Sequence, residues 1–191
     1  MSSKMQNLSV CVFCGSRFGL NPEYEHAAKS LGIGLGERNW RLVYGAGDVG
    51  LMGSLARSAQ AAGAAILGVI PTHLIPKEVA MKDLTNLIVT ENMHERKKIM
   101  FMNSEAIILL PGGIGSLDEF FEVLTWVQLG LHEKPIVLVN VSNYWDRLLS
   151  LIEQMCSEGF ADPSISNALS VVENVESALD IIESRCEIKY Y

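Results

Sequence analysis

A glycine-rich turn followed by a carboxylate is the segment of this chain best suited to do chemistry. Residues 111–119 read Pro-Gly-Gly-Ile-Gly-Ser-Leu-Asp-Glu and follow an apolar run that ends at Leu110. The glycines let the backbone approach a ligand closely, and the N–H groups of a helix start, with the serine hydroxyl, suit a phosphate. Glu119 lies one turn further on, close enough to act on a group attached to that phosphate. The alternative is a glycine-rich turn whose acidic residues complement the helix dipole.

A cluster of positive charge at residues 93–98 is the natural counterpart of a phosphate. Its sequence, Met-His-Glu-Arg-Lys-Lys, opens a predicted helix directly before the strand that leads to the glycine-rich turn. Arg96 offers a planar guanidinium for paired hydrogen bonds, and Lys97 offers a point charge. A solvated basic helix face is the alternative interpretation.

A second glycine-rich turn at residues 45–50 matches the dinucleotide-binding fingerprint Gly-x-Gly-x-x-Gly. It follows the second predicted strand instead of the first, and residues 66–72, where a ribose-binding acid is expected, contain no Asp or Glu. We therefore expect no nicotinamide cofactor. Gly45 and Gly47 are interpreted as allowing a second close approach of the backbone to a nucleotide.

The cysteine pair Cys11 and Cys14 suggests redox chemistry or zinc, but its context favours neither. The pair lies within and at the end of a predicted strand, not at a helix start that would stabilise a thiolate, and no second pair supplies zinc ligands. The four histidines are scattered without ligand spacing. We predict no metal site.

These residues need a scaffold that brings strand ends together. Five apolar runs have strand length, at residues 8–13, 41–44, 65–70, 106–110 and 135–139. Segments of helical length lie at residues 22–39, 51–62, 93–104, 116–129, 144–158 and 174–185. This alternation predicts a single α/β domain over residues 1–191, a sandwich with a mostly parallel sheet flanked by helices.

Ligands on such sheets bind beyond the carboxyl ends of the strands. The turns at residues 14–17, 44–47, 70–73 and 111–113 are therefore expected to converge on one crevice. Residues 72–92 form the longest connection that we predict to be irregular, and it is placed to cover that crevice.

Composition limits the partners of the chain. Its 191 residues carry 15 basic and 22 acidic side chains, a net charge of −7, whereas a broad nucleic-acid or membrane surface needs a basic excess. No apolar stretch approaches the ~18 residues of a membrane span, and the N-terminus lacks the pattern of a signal peptide. We expect a cytoplasmic protein with no nucleic-acid or membrane partner. The predicted helix 116–129 is apolar on most sides, which favours a homodimer.

In order and spacing, four segments closely resemble the LONELY GUY (LOG) family: residues 11–16, 45–53, 93–97 and 111–119. The resemblance spans about residues 8–140. It implies a Rossmann-like homodimer that hydrolyses the N-glycosidic bond of N6-substituted adenosine 5′-monophosphates, releasing the free base and ribose 5-phosphate. We expect this reaction to need no cofactor, because no motif in the sequence holds one and the reaction needs only water. AMP is commonly a substrate in that family too.

The resemblance also implies roles for individual residues. Arg96 and Glu119 match the catalytic pair of the family. The positions that match its nucleotide contacts, with Gly112 added from the turn itself, are Glu78, Lys97, Gly112, Gly113, Ile114, Gly115, Ser116, Leu117, Asp118 and Thr125. Ser116 stands where the family usually has Thr, and Asp118 stands where a second Glu is common; neither change removes a required group.

The chemistry agrees with this assignment. Breaking an N-glycosidic bond builds positive charge on the ribose. A fixed carboxylate such as Glu119 either stabilises that charge or activates the attacking water. Arg96 is always charged and so suits binding and polarisation of the departing base better than proton donation. Two alternatives stay open: a nucleotide carrier or sensor without turnover, and a decarboxylase, which would need a lysine Schiff base to pyridoxal phosphate.

Overall fold

The computed structural model describes residues 8–78, 84 and 86–187, which form one seven-stranded sheet flanked by helices. The strands are β1 Ser9–Phe13, β2 Arg41–Tyr44, β3 Ile66–Pro71, β4 Asn86–Thr90, β5 Ala106–Leu109, β6 Ile136–Val139 and β7 Leu169–Val172. The helices are α1 Pro22–Glu37, α2 Gly50–Ala61, α3 Ile75–Glu78, α4 Met93–Met102, α5 Ile114–Gln128, α6 Asp146–Ser157, α7 Ser164–Ala168 and α8 Val175–Glu187. None of the described helices combines the length and the apolar character needed to cross a membrane.

Every described strand pair is parallel, and the strand order is β4-β3-β2-β1-β5-β6-β7. The predicted α/β fold with a parallel sheet is therefore confirmed. The chain winds outwards from β1 to one edge and then returns to β5 on the other side of β1. This reversal opens a crevice beyond the carboxyl ends of β1 and β5, where sheets of this kind bind ligands.

The sheet is buried on both faces, as the continuously apolar strands indicate. In β1, Val10 and Val12 face a core shared with α1, α2 and α8. Cys11 and Phe13 face the opposite core, which is shared with α4, α5 and α6. Because both cores use the same short strands, the strand ends are held firmly in relation to one another.

Two strands were not predicted, and both lie at the edges of the sheet. β4 runs through the connection at residues 72–92, so the prediction that this whole connection is irregular was wrong. Its side chains, like those of β7, are mostly exposed or half-buried because an edge strand packs on fewer neighbours. The longest unbroken apolar run is three residues in β4 and two in β7, too short for the apolar signal of a central strand.

Candidate active site

A cavity of about 830 Å³ opens at the carboxyl ends of the strands. Its walls come from the loop after β1, the turn after β3, the first turns of α2 and α4, and the glycine-rich turn after β5. The side chains and turns that line it are Cys14, Gly15, Ser16, Arg17, Phe18, Gly19, Tyr24, Leu51, Met52, His73, Leu74, Met93, Arg96, Pro111, Gly112, Gly113, Ile114, Gly115, Ser116, Glu119 and Tyr144. Three of the four turns predicted to converge therefore do so, while residues 44–47 after β2 do not reach the wall.

The glycine-rich turn presents an open helix start to this cavity. Gly113 is the N-cap of α5, and the first helical bond runs from the Leu117 N–H to the Gly113 carbonyl at 3.1 Å. The N–H groups before Leu117 therefore have no partner within the helix. A methyl group built on Gly113 or Gly115 would meet no heavy atom within 4 Å. The backbone is thus bare on the cavity side, as an anion cradle requires.

Gly112 has a different reason to be glycine. A Cβ atom there would lie 2.2 Å from Ser116 Oγ and 3.1 Å from the Gly15 backbone nitrogen. Ser116 is buried, so it cannot simply swing away. Gly112 therefore lets the turn fold onto the first turn of α5, while Gly113 and Gly115 leave room for a ligand.

Glu119 lies beside this cradle because residues three apart share a helix face, which aligns it with Ser116. It is half-buried and lines the cavity. Burial raises the pKa of the Cys14 thiol well above its ordinary value, and the negative charge of Glu119 raises it further. Glu119 and Cys14, which follows β1, both line the cavity. Burial and then Glu119 also raise the pKa of Cys11, so both thiols are held in the neutral form, which is a poor metal ligand and a poor nucleophile.

Arg96 reaches the cavity from α4 and is almost completely buried, with 3% of its surface exposed. Asn92 caps this helix by accepting a hydrogen bond from the Glu95 N–H at 3.0 Å. Arg96 Nη2 donates to the Gly45 carbonyl at 2.9 Å, and a Cβ atom on Gly45 would lie only 1.9 Å from that nitrogen.

Position 45 is therefore glycine because the Arg96 side chain passes over it and leaves no space for another side chain. Neither Gly45 nor Gly47 is among the residues that line this cavity. The interpretation that their turn approaches a nucleotide stays a prediction, and what the structure adds is that Gly45 leaves room for Arg96. The α2 N–H groups of Leu51 and Met52 are also engaged, since both donate to the Gly15 carbonyl at 3.1 and 3.3 Å.

Lys97 is not among the residues that line the cavity, and its side chain joins α4 to α5. Its Nζ lies 3.0 Å from Asp118 Oδ2 and 3.0 Å from Glu122 Oε2. Burial of Lys97 opposes its charged form, but the hydrogen bonds to Glu122 and Asp118 outweigh that effect and raise its pKa.

Of the remaining residues matched by the resemblance, Leu117 and Thr125 do not line the cavity. Leu117 packs on the core beneath α5, and the exposed Thr125 donates its hydroxyl to the Phe121 carbonyl at 2.6 Å. Glu78 ends the short helix α3, and its side chain lies outside the described part of the structure. The residues that the fold does bring together in one cavity are Arg96, Gly112, Gly113, Ile114, Gly115, Ser116 and Glu119.

Several cavity residues were not singled out from the sequence. Phe18, Tyr24 and Tyr144 form an aromatic side of the wall, and His73 follows β3. The rule that ligands lie beyond strand ends pointed to the loops after β1 and β3. Tyr144, however, follows β6 after a short irregular turn, and no local pattern indicates that it folds back onto residue 112.

Comparison with known proteins fits this geometry. A family model described as "Possible lysine decarboxylase" matches residues 52–182. A probable cytokinin riboside 5′-monophosphate phosphoribohydrolase of Oryza sativa subsp. japonica is 43% identical over 171 residues, which is 90% of this chain and 74% of the relative. The cytokinin riboside 5′-monophosphate phosphoribohydrolase of Rhodococcoides fascians is 45% identical over 178 residues, which is 92% of this chain and 89% of the relative.

Among solved structures, the molybdenum cofactor binding protein from the phototrophic bacterium Rippkaea orientalis aligns with a TM-score of 0.72. It is 23% identical and covers 96% of this chain and 99% of that one, a likeness that shows the fold alone. The sequence relatives are far more similar, and the motifs that carry the resemblance form one cavity here. The chain therefore belongs to the LONELY GUY (LOG) family of cytokinin riboside 5′-monophosphate phosphoribohydrolases.

Proposed function

We propose that this protein hydrolyses the N-glycosidic bond of adenosine 5′-monophosphates, with or without an N6 substituent, to the free base and ribose 5-phosphate. The observation that carries the proposal is the position of Glu119. It stands one helical turn beyond the bare N–H groups of the α5 start, in the same cavity as the buried Arg96.

The substrate fits the cavity in one direction. Its phosphate accepts hydrogen bonds from the first turn of α5, which places the ribose beside Glu119. β3 is the third strand from β5 in the sheet. At ~4.8 Å per strand, the end of β3 therefore lies roughly 14 Å from the end of β5, beside which the phosphate is placed. The base therefore extends towards Met52, Leu74 and Met93, whose apolar side chains suit a purine or a hydrophobic N6 substituent.

The chemical step follows from this placement. As the bond between C1′ and the base nitrogen breaks, Glu119 stabilises the positive charge on the ribose and orients water towards C1′. The water oxygen becomes the C1′ hydroxyl, one of its protons passes through Glu119 to solvent, and the departing base takes up a proton. Arg96 stabilises the negative charge that develops on the base. The step needs water alone, so we propose hydrolysis without a cofactor.

We also propose that the protein works as a homodimer through the outer face of α5. Met102, Leu129 and Leu131 are between 65% and 68% exposed at the ends of α4 and α5. An exposed apolar patch of this kind marks a protein contact. Lys97, Asp118 and Thr125 lie outside the cavity of one subunit, so a direct nucleotide contact by them requires a second subunit on this face. Leu131→Asp should give a monomer by light scattering, whereas Leu151→Asp, on α6, should leave the mass unchanged.

A cytoplasmic location is part of the proposal. Cys11, Cys14, Cys156 and Cys186 are all free thiols, which suits a reducing compartment.

The alternatives are less well supported. A carrier or sensor that only holds a phosphate gains nothing from Glu119 and is weakened by its repulsion. A pyridoxal-dependent decarboxylase needs a lysine that is easily deprotonated, yet the pKa of Lys97 is raised and its side chain is held by two carboxylates. Within the described residues, no lysine lines the cavity.

The decisive experiment incubates the purified protein with AMP and with isopentenyladenosine monophosphate and measures the free base. Glu119→Gln should bind nucleotide but lose turnover by at least about 10², because the amide keeps the shape and loses the charge. Glu122→Gln is the matched control, since it removes a carboxylate from the same helix that faces Lys97 instead of the cavity. Nucleotide binding with no base released by the parent protein would favour a carrier; equal turnover in Glu119→Gln and the parent would remove the role of Glu119.

A further inference from the structure

We propose that Tyr144 is a positioning residue that orients the glycine-rich turn towards the 5′-phosphate, an inference that rests on the proposed function of the cavity. Its hydroxyl donates a hydrogen bond to the Gly112 carbonyl at 2.6 Å, across 32 positions of sequence. Tyr144 also lines the cavity and is 40% exposed. It therefore joins the loop after β6 to the turn that begins α5.

The bond matters because it fixes the orientation of a peptide plane. The Pro111 carbonyl accepts from the Gly15 N–H at 3.0 Å, and the next carbonyl, that of Gly112, accepts from Tyr144. In a trans peptide the following N–H points opposite to the carbonyl, and the described chain has no cis peptide. Holding the Gly112 carbonyl therefore sets the direction of the Gly113 N–H at the N-cap of α5. Successive backbone N–H groups held in this way form an anion-binding nest.

The loop that carries Tyr144 has an unusual backbone. Ser142 and Asn143 have φ values of 52° and 59°, the left-handed region that non-glycine residues rarely adopt. Such residues persist where the surrounding structure over-determines them, and they cluster at functional sites. Here the Asn140 side chain accepts from the Trp145 N–H at 2.7 Å, and the Asn21 side chain donates to Ser142 Oγ at 3.1 Å. The loop is thus held from both sides, with Tyr144 aimed at the turn.

The ring of Tyr144 is fixed independently of its hydroxyl. It packs edge-on against Tyr24 with ring centroids 5.3 Å apart and against Trp145 at 4.6 Å. Removing the hydroxyl alone therefore leaves the ring in place. Tyr144→Phe is accordingly a clean test of the hydrogen bond.

Tyr144→Phe should raise the KM for AMP by roughly three- to tenfold, the loss expected for one hydrogen bond, with kcat within about twofold. Inhibition by ribose 5-phosphate should weaken by the same factor. Turnover of adenosine, which has no phosphate, should stay within about twofold of the parent protein. Tyr24→Phe is the comparison: it removes a hydroxyl from the same ring pair, and among the described residues that hydroxyl makes no bond to the turn. It should shift the AMP-to-adenosine ratio less.

Two results would overturn the inference. An unchanged KM for AMP in Tyr144→Phe would show that the hydroxyl does not set the cradle. A parallel loss with AMP and adenosine, together with a lower Tm, would make Tyr144 structural. Failure of the proposed function is distinguishable, because the parent protein itself would then cleave neither AMP nor adenosine, or would show no preference for AMP over adenosine.

Discussion

Replacing Gly115 by alanine should separate the stability of the protein from its ability to hold a phosphate. Gly115 lies in the first turn of α5, and a methyl group there meets no heavy atom within 4 Å. In a helix, alanine is more stable than glycine by up to about 1 kcal/mol, so the free energy of unfolding should stay the same or rise slightly.

Substrate binding should respond in the opposite direction. The methyl group projects from the backbone that lines the cavity, where the phosphate is expected to meet the N–H groups of the turn. Charge-assisted hydrogen bonds contribute about 1.5–3 kcal/mol each. Loss of one such bond predicts a roughly 10- to 150-fold fall in kcat/KM for AMP.

Gly112→Ala is the matched control because it changes the same turn by the same methyl group. Its Cβ atom would lie 2.2 Å from Ser116 Oγ, and the buried Ser116 has little room to move. Overpacking of this kind costs about 1–3 kcal/mol. Gly112→Ala should therefore lower stability and activity together.

The assay measures kcat/KM for AMP and urea unfolding of the parent and both variants. Full activity of Gly115→Ala with AMP would refute the reasoning, since the added methyl group is expected to cost the phosphate one hydrogen bond at this helix start. A stability loss in Gly115→Ala as large as that in Gly112→Ala would show that the space above Gly115 is not open.

Three further predictions address residues outside the turn. Gly45→Ala should reduce kcat by at least about tenfold with AMP, because the new methyl group displaces Arg96; unchanged turnover would mean that the arginine is not needed in this position. Lys97→Met should cost about 2 kcal/mol in urea unfolding, between the values for exposed and buried ion pairs. Because the folded-state pKa of Lys97 is raised, the stability that its ion pairs contribute is present at neutral pH and is lost as the pH rises above about 10.5 towards the raised value. A stability difference between Lys97→Met and the parent that grew above that pH would contradict the assignment. Iodoacetamide at pH 8 should alkylate the half-exposed Cys156 much faster than Cys14, as peptide mass spectrometry would show, and equal rates in the folded protein would contradict a raised Cys14 pKa.

Several features of the site depend only on residues that are close together in the sequence, so the sequence alone predicts them. Central strands buried on both faces appear as continuous apolar runs, which predicted β1, β2, β3, β5 and β6. Glu119 follows Ser116 by three residues, so helical periodicity alone places both on one face. The glycines after β5 likewise predict an accessible backbone, and the open space at Gly113 and Gly115 agrees with this, while anion binding there stays a prediction.

Only the tertiary structure determines which residues from distant parts of the sequence contact these features. Gly45 lies under the guanidinium of Arg96, 51 positions along the chain, although its motif suggested a nucleotide. Lys97 lies beside two carboxylates of α5, and the Tyr144 hydroxyl donates to the Gly112 carbonyl. Local periodicity determines the face on which a side chain lies, but which group it then contacts depends on how the helices pack on the sheet. That packing is set by the whole core and by no single segment.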